Sequence, residues 1–190
     1  MYNNCIEKEV KTMIEDINGF RLPRYTQIPD VGLYLEQVVR YVNAHLALLG
    51  EPELTNSMVS NYVKQGLIPS PIKKAYTAEH LARLLFIAVV KPFVPLEGLR
   101  LMFGIQEDNY PLQTAYDYFC DEFENMLGAA FGISPARDRI GKTQSDAKDL
   151  LRNTILATVN KVYLDRYLED YQKQQKNGMH SEKRESAQGI

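Results

Sequence analysis

The 190-residue sequence predicts a mostly helical, all-α protein. Apolar residues recur at intervals of three and four in several separate segments, and this spacing gives a helix one buried face. Capping residues precede these segments and glycine or proline follows them, so each predicted helix has a defined beginning and end. A hydrophobic content of 45% is enough for a packed core and excludes disorder of the whole chain.

Several protein classes are excluded by the composition and the first residues. The start of the chain mixes charged and apolar residues, unlike a secretory signal, and the longest apolar run, residues 84–90, is too short to cross a bilayer. Cys5 and Cys120 lie far apart without a CxxC pair, which excludes a disulfide scaffold and a zinc knuckle. We therefore expect a cytoplasmic protein.

The N-terminal region, residues 1–32, is predicted to be a short polar helix over 1–18 followed by an irregular segment. Gly19 and two prolines interrupt regular structure there, and we expect the compact part of the chain to begin after them. From Leu33 the apolar spacing predicts a helix over 33–49, which ends at Gly50 and the proline that follows.

The next elements are short. Thr55 is placed to cap a second helix, and Gly66 is placed to close it after about three turns. Residues 67–76 contain two prolines and are predicted to be an extended excursion. Thr77 then caps a longer helix, which stops at Lys91-Pro92, and a short helix follows Pro95.

The remaining chain, residues 104–173, is predicted to be a helical region for dimerisation or effector binding. Beyond Gly104 we expect helices over about 112–127 and 145–173, and then a polar, frayed tail over 174–190. The last helix carries an apolar stripe that we expect to pack against another copy of the chain or against the helix over 112–127: Leu151, Ile155, Val159, Val162 and Tyr163.

Positive charge is concentrated in the middle of the chain, although the net charge is −2. Residues 1–54 hold 5 basic and 8 acidic groups, residues 55–100 hold 6 and 2, and residues 101–190 hold 11 and 14. Since nucleic acid is held chiefly by lysine and arginine, the middle third is where we expect such contacts.

The second predicted helix has a small, polar, non-acidic outer face. Val59, Tyr62 and Val63 are predicted to face inward, whereas the outward residues are Asn56, Ser57, Ser60, Asn61 and Lys64. Such side chains allow close approach to a DNA groove, where amides read base edges and hydroxyls or lysine meet phosphates. The simpler alternative is a solvated helix face.

Three residues of the excursion are predicted to lie beside the same groove as a wing. Lys73 and Lys74 supply charge for the DNA backbone, and Tyr76 supplies an aromatic hinge. A solvated loop is the alternative for the lysines, and a packing role is the favoured interpretation for both Tyr62 and Tyr76.

Residues 58–69, Met-Val-Ser-Asn-Tyr-Val-Lys-Gln-Gly-Leu-Ile-Pro, resemble the recognition helix of MerR-type regulators and the segment after it. Lys73-Lys74-Ala75-Tyr76-Thr77 is similar to their basic wing. Leu81 through Leu99, ending Pro95-Leu96-Glu97-Gly98-Leu99, is similar to their next helix and Leu-Glu-Glu-Ile segment. The resemblance implies a MerR-like winged helix-turn-helix over residues 33–103, with additional C-terminal helices. MerR regulators usually carry arginine at the position of Ser60 and tyrosine at that of Asn61, so their base preferences do not transfer.

A second resemblance is closer. Leu22-Pro23-Arg24-Tyr25, the block over residues 55–69 and Lys73-Lys74-x-Tyr76 together are similar to an uncharacterised bacterial family, the domain of unknown function numbered 1836. This resemblance implies a fold and no particular biology.

Other titratable and aromatic groups are assigned structural roles. Four acidic residues are predicted to form a solvated helix face: Asp117, Asp121, Glu122 and Glu124. His45, His80 and His180 are predicted to be surface or helix-end residues. The aromatic stripe Tyr116, Phe119 and Phe123, continued by Met126 or Leu127, is predicted to be core or a subunit interface, with an effector pocket as the alternative.

These observations predict a sequence-specific protein that binds double-stranded DNA, a transcriptional regulator acting as a homodimer. The alternative is a protein-protein interaction module on a winged-helix scaffold. The chain shows no nucleophile elbow, phosphate loop or metal-ligand set, so we expect no enzyme, no cofactor and no metal. A small-molecule effector is possible but has no support in the sequence.

Overall fold

A computed structural model describes residues 17–50, 53–135, 140 and 143–187, with side chains up to residue 176. The helix predicted over 1–18 lies almost wholly outside the described residues. The described chain forms six α-helices, named here α1 to α6: Leu35–Leu46, Asn56–Lys64, Ala78–Val90, Leu96–Asn109, Leu112–Ala130 and Asp146–Ala187. Short 3-10 turns cover Tyr25–Gln27 and Ala47–Leu49. The mostly helical prediction is therefore confirmed.

The predicted boundaries of α2 are confirmed by its hydrogen bonds. The hydroxyl of Thr55 accepts a hydrogen bond from the backbone N–H of Met58 at 3.2 Å, as expected of an N-cap. Gly66 has a φ of +69°, which places it in the left-handed region that commonly ends a helix. The N–H of Leu67 then bonds back to the carbonyl of Tyr62 at 2.9 Å, so α2 is closed tightly at both ends.

The excursion between α2 and α3 contains a turn and two isolated antiparallel bridges, Leu33 with Tyr76 and Ile72 with Ala75. None of the residues that the structure describes forms a β-strand. The excursion is thus extended, as predicted, but it lacks the paired strands that a wing usually contains.

Two helices are longer than predicted. The helix after Pro95 does not stop at Gly104 but continues to Asn109, because Leu99 and Phe103 are buried on its inner face and outweigh the weak helix propensity of one glycine. It ends before Pro111, which disfavours helical backbone at the residue before it. The predicted tail from residue 174 is also helical, since α6 runs to Ala187.

One continuous core joins the regions predicted over 33–103 and 104–173. α3 lies at its centre, with Leu81, Leu84 and Leu85 fully buried. The boundary at 103 falls inside α4, and Arg166 of α6 donates a hydrogen bond to the carbonyl of Leu48 at 2.6 Å. The predicted regions therefore pack as neighbours around shared side chains.

The C-terminal helix packs inside its own chain. Ile155 and Val159 of α6 are at most 1% exposed, and they face α5, where Phe119 and Phe123 are equally buried. This confirms the second of the two positions expected for the apolar stripe, the one against the aromatic helix. It also confirms that the aromatic stripe is core.

The segment before α1 belongs to the compact body, contrary to the expectation that the body begins after residue 32. Phe20, Leu22 and Ile28 are 2–4% exposed, and the ring of Phe20 meets that of Phe123 edge-on at 5.9 Å. The prolines and the glycine do prevent an α-helix over residues 20–34, where a short 3-10 turn forms instead. Large apolar side chains nevertheless bury the segment against α5.

The four acidic residues of α5 do not form a solvated face, so that prediction is wrong. Asp117 accepts a hydrogen bond from the backbone N–H of Tyr25 at 2.8 Å, and both Asp121 and Glu124 form ion pairs with Arg24. Glu122 is fully buried. Its carboxylate accepts hydrogen bonds from the Tyr118 hydroxyl and the Ile140 N–H, and Arg152 lies 3.6 Å away. These acids hold neighbouring segments against α5, because each carboxylate satisfies a donor that packing would otherwise leave unpaired.

His80 is a helix-end residue, as predicted, but it is buried rather than at the surface, with 5% exposure. His45 lies in the last turn of α1, and the side chain of His180 lies outside the described residues. Within the described ranges, no helix combines the length and the apolar character that crossing a membrane requires.

Candidate functional site

The five polar residues predicted on the outer face of α2 are all exposed: Asn56, Ser57, Ser60, Asn61 and Lys64. The opposite face anchors the helix, since Val59 is fully buried and Tyr62 is 1% exposed. Val63 lies between the two faces and is partly buried. The outward assignments and the inward assignments of Val59 and Tyr62 are therefore confirmed, whereas Val63 is only partly buried.

α2 is fixed relative to α1 by one amide side chain. The Asn43 amide nitrogen donates to the carbonyl of Leu54 at 2.9 Å, and the N–H of Leu54 donates to the Asn43 amide oxygen at 2.9 Å. The side chain thus pairs with the backbone as a neighbouring strand would, immediately before the cap of α2. On the exposed face, the Ser60 hydroxyl donates to the carbonyl of Asn56 at 2.9 Å, which orients it along the helix.

Lys73 and Lys74 form the tip of a two-residue turn with φ values of +52° and +65°. The turn is closed by the N–H of Ala75, which donates to the carbonyl of Ile72 at 2.9 Å. Positive φ at both central positions is the signature of a type I′ turn, in which asparagine and glycine are preferred. Two lysines there cost conformational energy, because a side chain with a Cβ is disfavoured in the left-handed region. Both lysines are exposed.

The turn is tied to the segment before α1 by backbone bonds. Leu33 and Tyr76 exchange two N–H to carbonyl hydrogen bonds, each of 2.9 Å. This pairing joins positions that are 43 residues apart in the sequence. It fixes the direction in which the two lysine side chains project from the compact body. The lysines are therefore held on a short, double-anchored turn.

Tyr76 is 5% exposed and its ring meets that of His80 at 5.3 Å. Burial raises the pKa of its hydroxyl. These contacts support the packing role that the sequence favours for Tyr76. Tyr62 is likewise buried, with 1% exposure. Among the residues predicted to contact DNA, Tyr76 thus offers little accessible surface.

His80 supports the start of α3. Its Nδ1 accepts a hydrogen bond from the backbone N–H of Thr77 at 3.0 Å and lies 2.8 Å from the Thr77 hydroxyl. Burial lowers the pKa of the imidazole; Glu79 and the backbone of Pro69 oppose this effect, whereas Arg83 adds to it. A neutral ring is required, since an Nδ1 that accepts a backbone N–H carries no proton.

A groove of about 530 Å³ brings three of the predicted site residues together with the start of α1. It is lined by Tyr34, Leu35, Glu36, Gln37, Asn56, Pro71, Lys74 and Tyr76. Tyr34, at 65% exposure, is a surface aromatic that the sequence analysis did not select. No local signal marks it, because its position depends on the pairing of residues 33 and 76.

The charge around α2 and the turn is mainly positive. Between Leu54 and Ala78 the charged residues are Lys64, Lys73 and Lys74, with no aspartate or glutamate. One carboxylate from outside this stretch, that of Glu36, lines the same groove as Lys74. The outer face of α2 itself carries no acidic group.

The residues that the structure describes give little support for catalysis by a nucleophilic side chain or by a bound metal ion. Burial raises the pKa of the Cys120 thiol to about 12, so the thiol stays protonated and unreactive at neutral pH. The described residues contain no group of three or more histidine, cysteine, aspartate or glutamate side chains placed to hold a metal ion.

Residues 23–119 match a family model described as a domain of unknown function, DUF1836. The chain belongs to this family. The match begins at the Pro23-Arg24 anchor on α5, includes α1 to α4 with the turn, and ends within α5. Comparison with curated proteins and with solved structures finds no match. The candidate site lies wholly inside the DUF1836 region, whereas α6 lies outside it.

Proposed function

We propose that this DUF1836 protein binds double-stranded DNA in a sequence-specific manner and acts as a transcriptional regulator. The observation that carries the proposal is the exposed, acid-free outer face of α2 beside a turn whose tip presents two lysines. In this proposal α2 lies in a major groove, and Lys73 and Lys74 contact the phosphate backbone next to it.

The backbone strain at Lys73 and Lys74 supports this proposal. Residues held at unfavourable φ persist where the surrounding structure enforces them, and they concentrate at functional positions. Asparagine and glycine would adopt the same turn more easily but would bring no charge. Two exposed lysines at the tip are therefore explained if positive charge is required at that place.

The proposed architecture is a MerR-like winged helix-turn-helix in which a hairpin turn takes the place of a longer wing. The order of α1, α2, turn and α3, and the side-chain clamp from Asn43 that fixes α2 on α1, support it. α2 has nine residues and is roughly 13 Å long, and an α-helix about 10–12 Å in diameter fits a major groove about 12 Å wide.

The experiment that tests the proposal measures binding of the purified chain to a random-sequence duplex over a series of salt concentrations, followed by selection of bound genomic fragments. We expect measurable affinity at low ionic strength, a linear fall of log K with log salt, and enrichment of a common sequence. If no duplex shows salt-dependent affinity, DNA binding is wrong, and a protein-protein interaction module becomes the better explanation.

We also propose that the protein acts as a homodimer, through a second apolar stripe on α6. The first stripe is buried inside the chain, but Leu164, Tyr167, Leu168 and Tyr171 are 42–56% exposed at helical spacing of three and four. A second copy is the proposed occupant, because helix-turn-helix proteins usually pair to contact two half-sites. Sedimentation should then give a dimer at tens of micromolar for wild type and for the exposed control Leu101→Glu, and a monomer for Leu168→Glu. A wild type that is monomeric under these conditions would exclude the homodimer.

A further inference from the structure

A second cavity lies away from α2 and the turn, among α3, α4, α5 and α6. Its volume is about 180 Å³, and none of its lining residues belongs to α2 or to the lysine turn. Three phenylalanines form its inner wall: the rings of Phe86 and Phe103 lie 5.6 Å apart and those of Phe86 and Phe119 lie 5.0 Å apart. The start of α6 contributes Ala147, Lys148 and Leu151 to the opposite side.

The size and the walls of the cavity suit a small apolar body. An apolar cavity of about 150 Å³ in another protein holds one benzene ring, so this cavity has room for about one ring with a short substituent. Pockets with aromatic and aliphatic walls and a few charged groups are typical small-molecule sites. The burial of apolar ligand surface would supply most of the binding free energy.

The charge of the lining determines which substituent fits. Among the residues that the structure describes, Arg83 and Lys148 are the cationic residues in the wall, and no aspartate or glutamate lines the cavity. Arg83 is already paired, since its guanidinium forms ion pairs with Glu79 at 3.3 Å and Glu107 at 2.8 Å. Its charge is therefore largely compensated by groups outside the cavity.

Lys148 is the cation left for a ligand. Its ammonium lies 5.7 Å from the ring centre of Tyr110 and 5.5 Å from that of Tyr118, and both tyrosines line the cavity. The ammonium also donates to the Thr143 hydroxyl at 2.8 Å and carbonyl at 3.0 Å. The ion pairs found among the described residues include none with Lys148. These contacts hold a positive charge over aromatic faces at the edge of an apolar space.

We propose that this cavity binds a small aromatic monocarboxylate, with its ring packed against the phenylalanine wall and its carboxylate on the ammonium of Lys148. This site goes beyond DNA binding and does not depend on it, because no residue is shared between the two. An ion pair to the ammonium of this partly buried lysine gives specificity for the acid over neutral molecules of the same shape.

The test compares phenylacetate with phenylacetamide, a neutral molecule of almost the same shape, by methyl NMR titration of the full chain. Phenylacetate should produce saturable shifts of the methyl groups of Ala82, Ala115 and Leu151, with an affinity about five- to tenfold higher than that of the amide. Lys148→Met should abolish this preference and leave the weaker binding of the ring. Lys173→Met, a change at an exposed lysine of the same helix, should alter neither affinity.

Two results would overturn the proposal. The cavity is not a ligand site if neither probe shifts these methyl groups in a saturable way up to about 20 mM. The assigned carboxylate is wrong if the amide binds wild type as tightly as the acid, or if Lys148→Met keeps the preference. The test measures binding of the probe to the cavity directly. A negative result therefore does not contradict the proposal of DNA binding, and a protein that binds no DNA does not contradict the proposal of a carboxylate site.

Discussion

The guanidinium of Arg24 donates hydrogen bonds to both carboxylate oxygens of Glu124, at 2.7 Å and 3.0 Å, across a sequence separation of 100 residues. The same carboxylate accepts the backbone N–H of Leu22 at 2.9 Å, and Asp121 accepts a further bond from Arg24 at 2.7 Å. The hydrogen bond to Glu124 also raises the pKa of Arg24. This paired geometry fastens the segment before α1 to α5, and so joins the start of the DUF1836 region to the helix in which that region ends.

Breaking this pair should destabilise the whole protein. Arg24→Met leaves a mostly buried carboxylate with one fewer partner, and we expect the free energy of unfolding to fall by about 1–3 kcal/mol. Glu124→Gln should cost less, because its amide oxygen can still accept from Leu22. Urea unfolding of both single variants and of the double variant gives the coupling free energy between Arg24 and Glu124, which should be clearly favourable.

Arg21→Met is the matched control for this prediction. Arg21 is also an arginine next to Glu124, but its side chain is 69% exposed and the ion pair measures 3.7 Å. Exposed pairs of this kind contribute about 0–1 kcal/mol. If Arg21→Met and Arg24→Met were equally destabilising, simple removal of positive charge beside α5 would explain both, and the paired geometry would not matter.

The order of the helices from α1 to α3 could be predicted because their signals are local. Thr55 and Gly66 lie within one helix length of each other, and a cap or a left-handed closing residue acts on its immediate neighbours. Apolar spacing identified Val59 and Tyr62 as buried in the same way. Each of these statements needs only a few consecutive residues.

The misassigned parts depend on partners far away in the sequence. Glu122 and Glu124 look like a solvated face until Ile140, Arg24 and the other donors are brought to them by the fold. The segment with Phe20 and Leu22 looks irregular and peripheral until α5 covers it. Local propensity indicates where a helix can form, but only tertiary contacts decide which polar groups are buried.

The candidate site could also be predicted only in part, because some of its features are local in sequence and others are not. Exposure of the outer face of α2 follows from helical periodicity, and Lys73 and Lys74 follow from the prolines that exclude a helix around them. The groove that includes Tyr34 does not follow, because the backbone bonds between Leu33 and Tyr76 create it. The same is true of the positive φ values at the turn.

Acidification should destabilise the protein through His80. Burial lowers the pKa of this imidazole in the folded state, so above about pH 6.5 the ring is neutral in both states and stability does not change with its titration. Below that pH the unfolded chain binds a proton that the folded chain binds only at lower pH, and unfolding becomes easier.

His80→Gln is the variant that isolates this effect. Glutamine at this position can still accept the N–H of Thr77 as in a capping box, but it does not titrate. The stability of wild type relative to His80→Gln, measured by urea unfolding from about pH 7.5 to 5.5, should decrease as the pH falls. A stability difference that stays constant over this range would show that the pKa of the His80 ring is the same in the folded and the unfolded state.

Relieving the strained turn should stabilise the protein and weaken the proposed DNA binding. Replacing Lys73 by asparagine and Lys74 by glycine places preferred residues at positive φ, and we expect a gain of about 1 kcal/mol in the free energy of unfolding. The matched control is the double alanine variant, which loses the same two charges but keeps a Cβ at both positions. It should show no such gain, while both variants should lose equal affinity for duplex DNA. Equal stability of the two variants would mean that the turn stores no strain.

The last prediction distinguishes the role of α2 from that of the turn, because substitutions in the two should change DNA binding in different ways. Asn61→Ala removes an exposed amide from the outer face of α2, so affinity for a selected site should fall by about 1–3 kcal/mol if that amide contacts a base. Affinity for random duplex should hardly change, because a base contact carries sequence information and little of the general attraction. Ser60→Ala tests the neighbouring hydroxyl in the same way.

Replacing both Lys73 and Lys74 by alanine should instead weaken binding to every duplex. Loss of phosphate neutralisation lowers the slope of log K against log salt by about one for each contact removed. Lys173→Ala, at an exposed lysine in the C-terminal half of α6, is the control for the loss of a positive charge elsewhere. The measurement is binding of each variant to the selected site and to random duplex across one salt series. If the α2 variants and the turn variant lost affinity in the same proportion on both duplexes, α2 would not read sequence, and the contact with DNA would be electrostatic throughout.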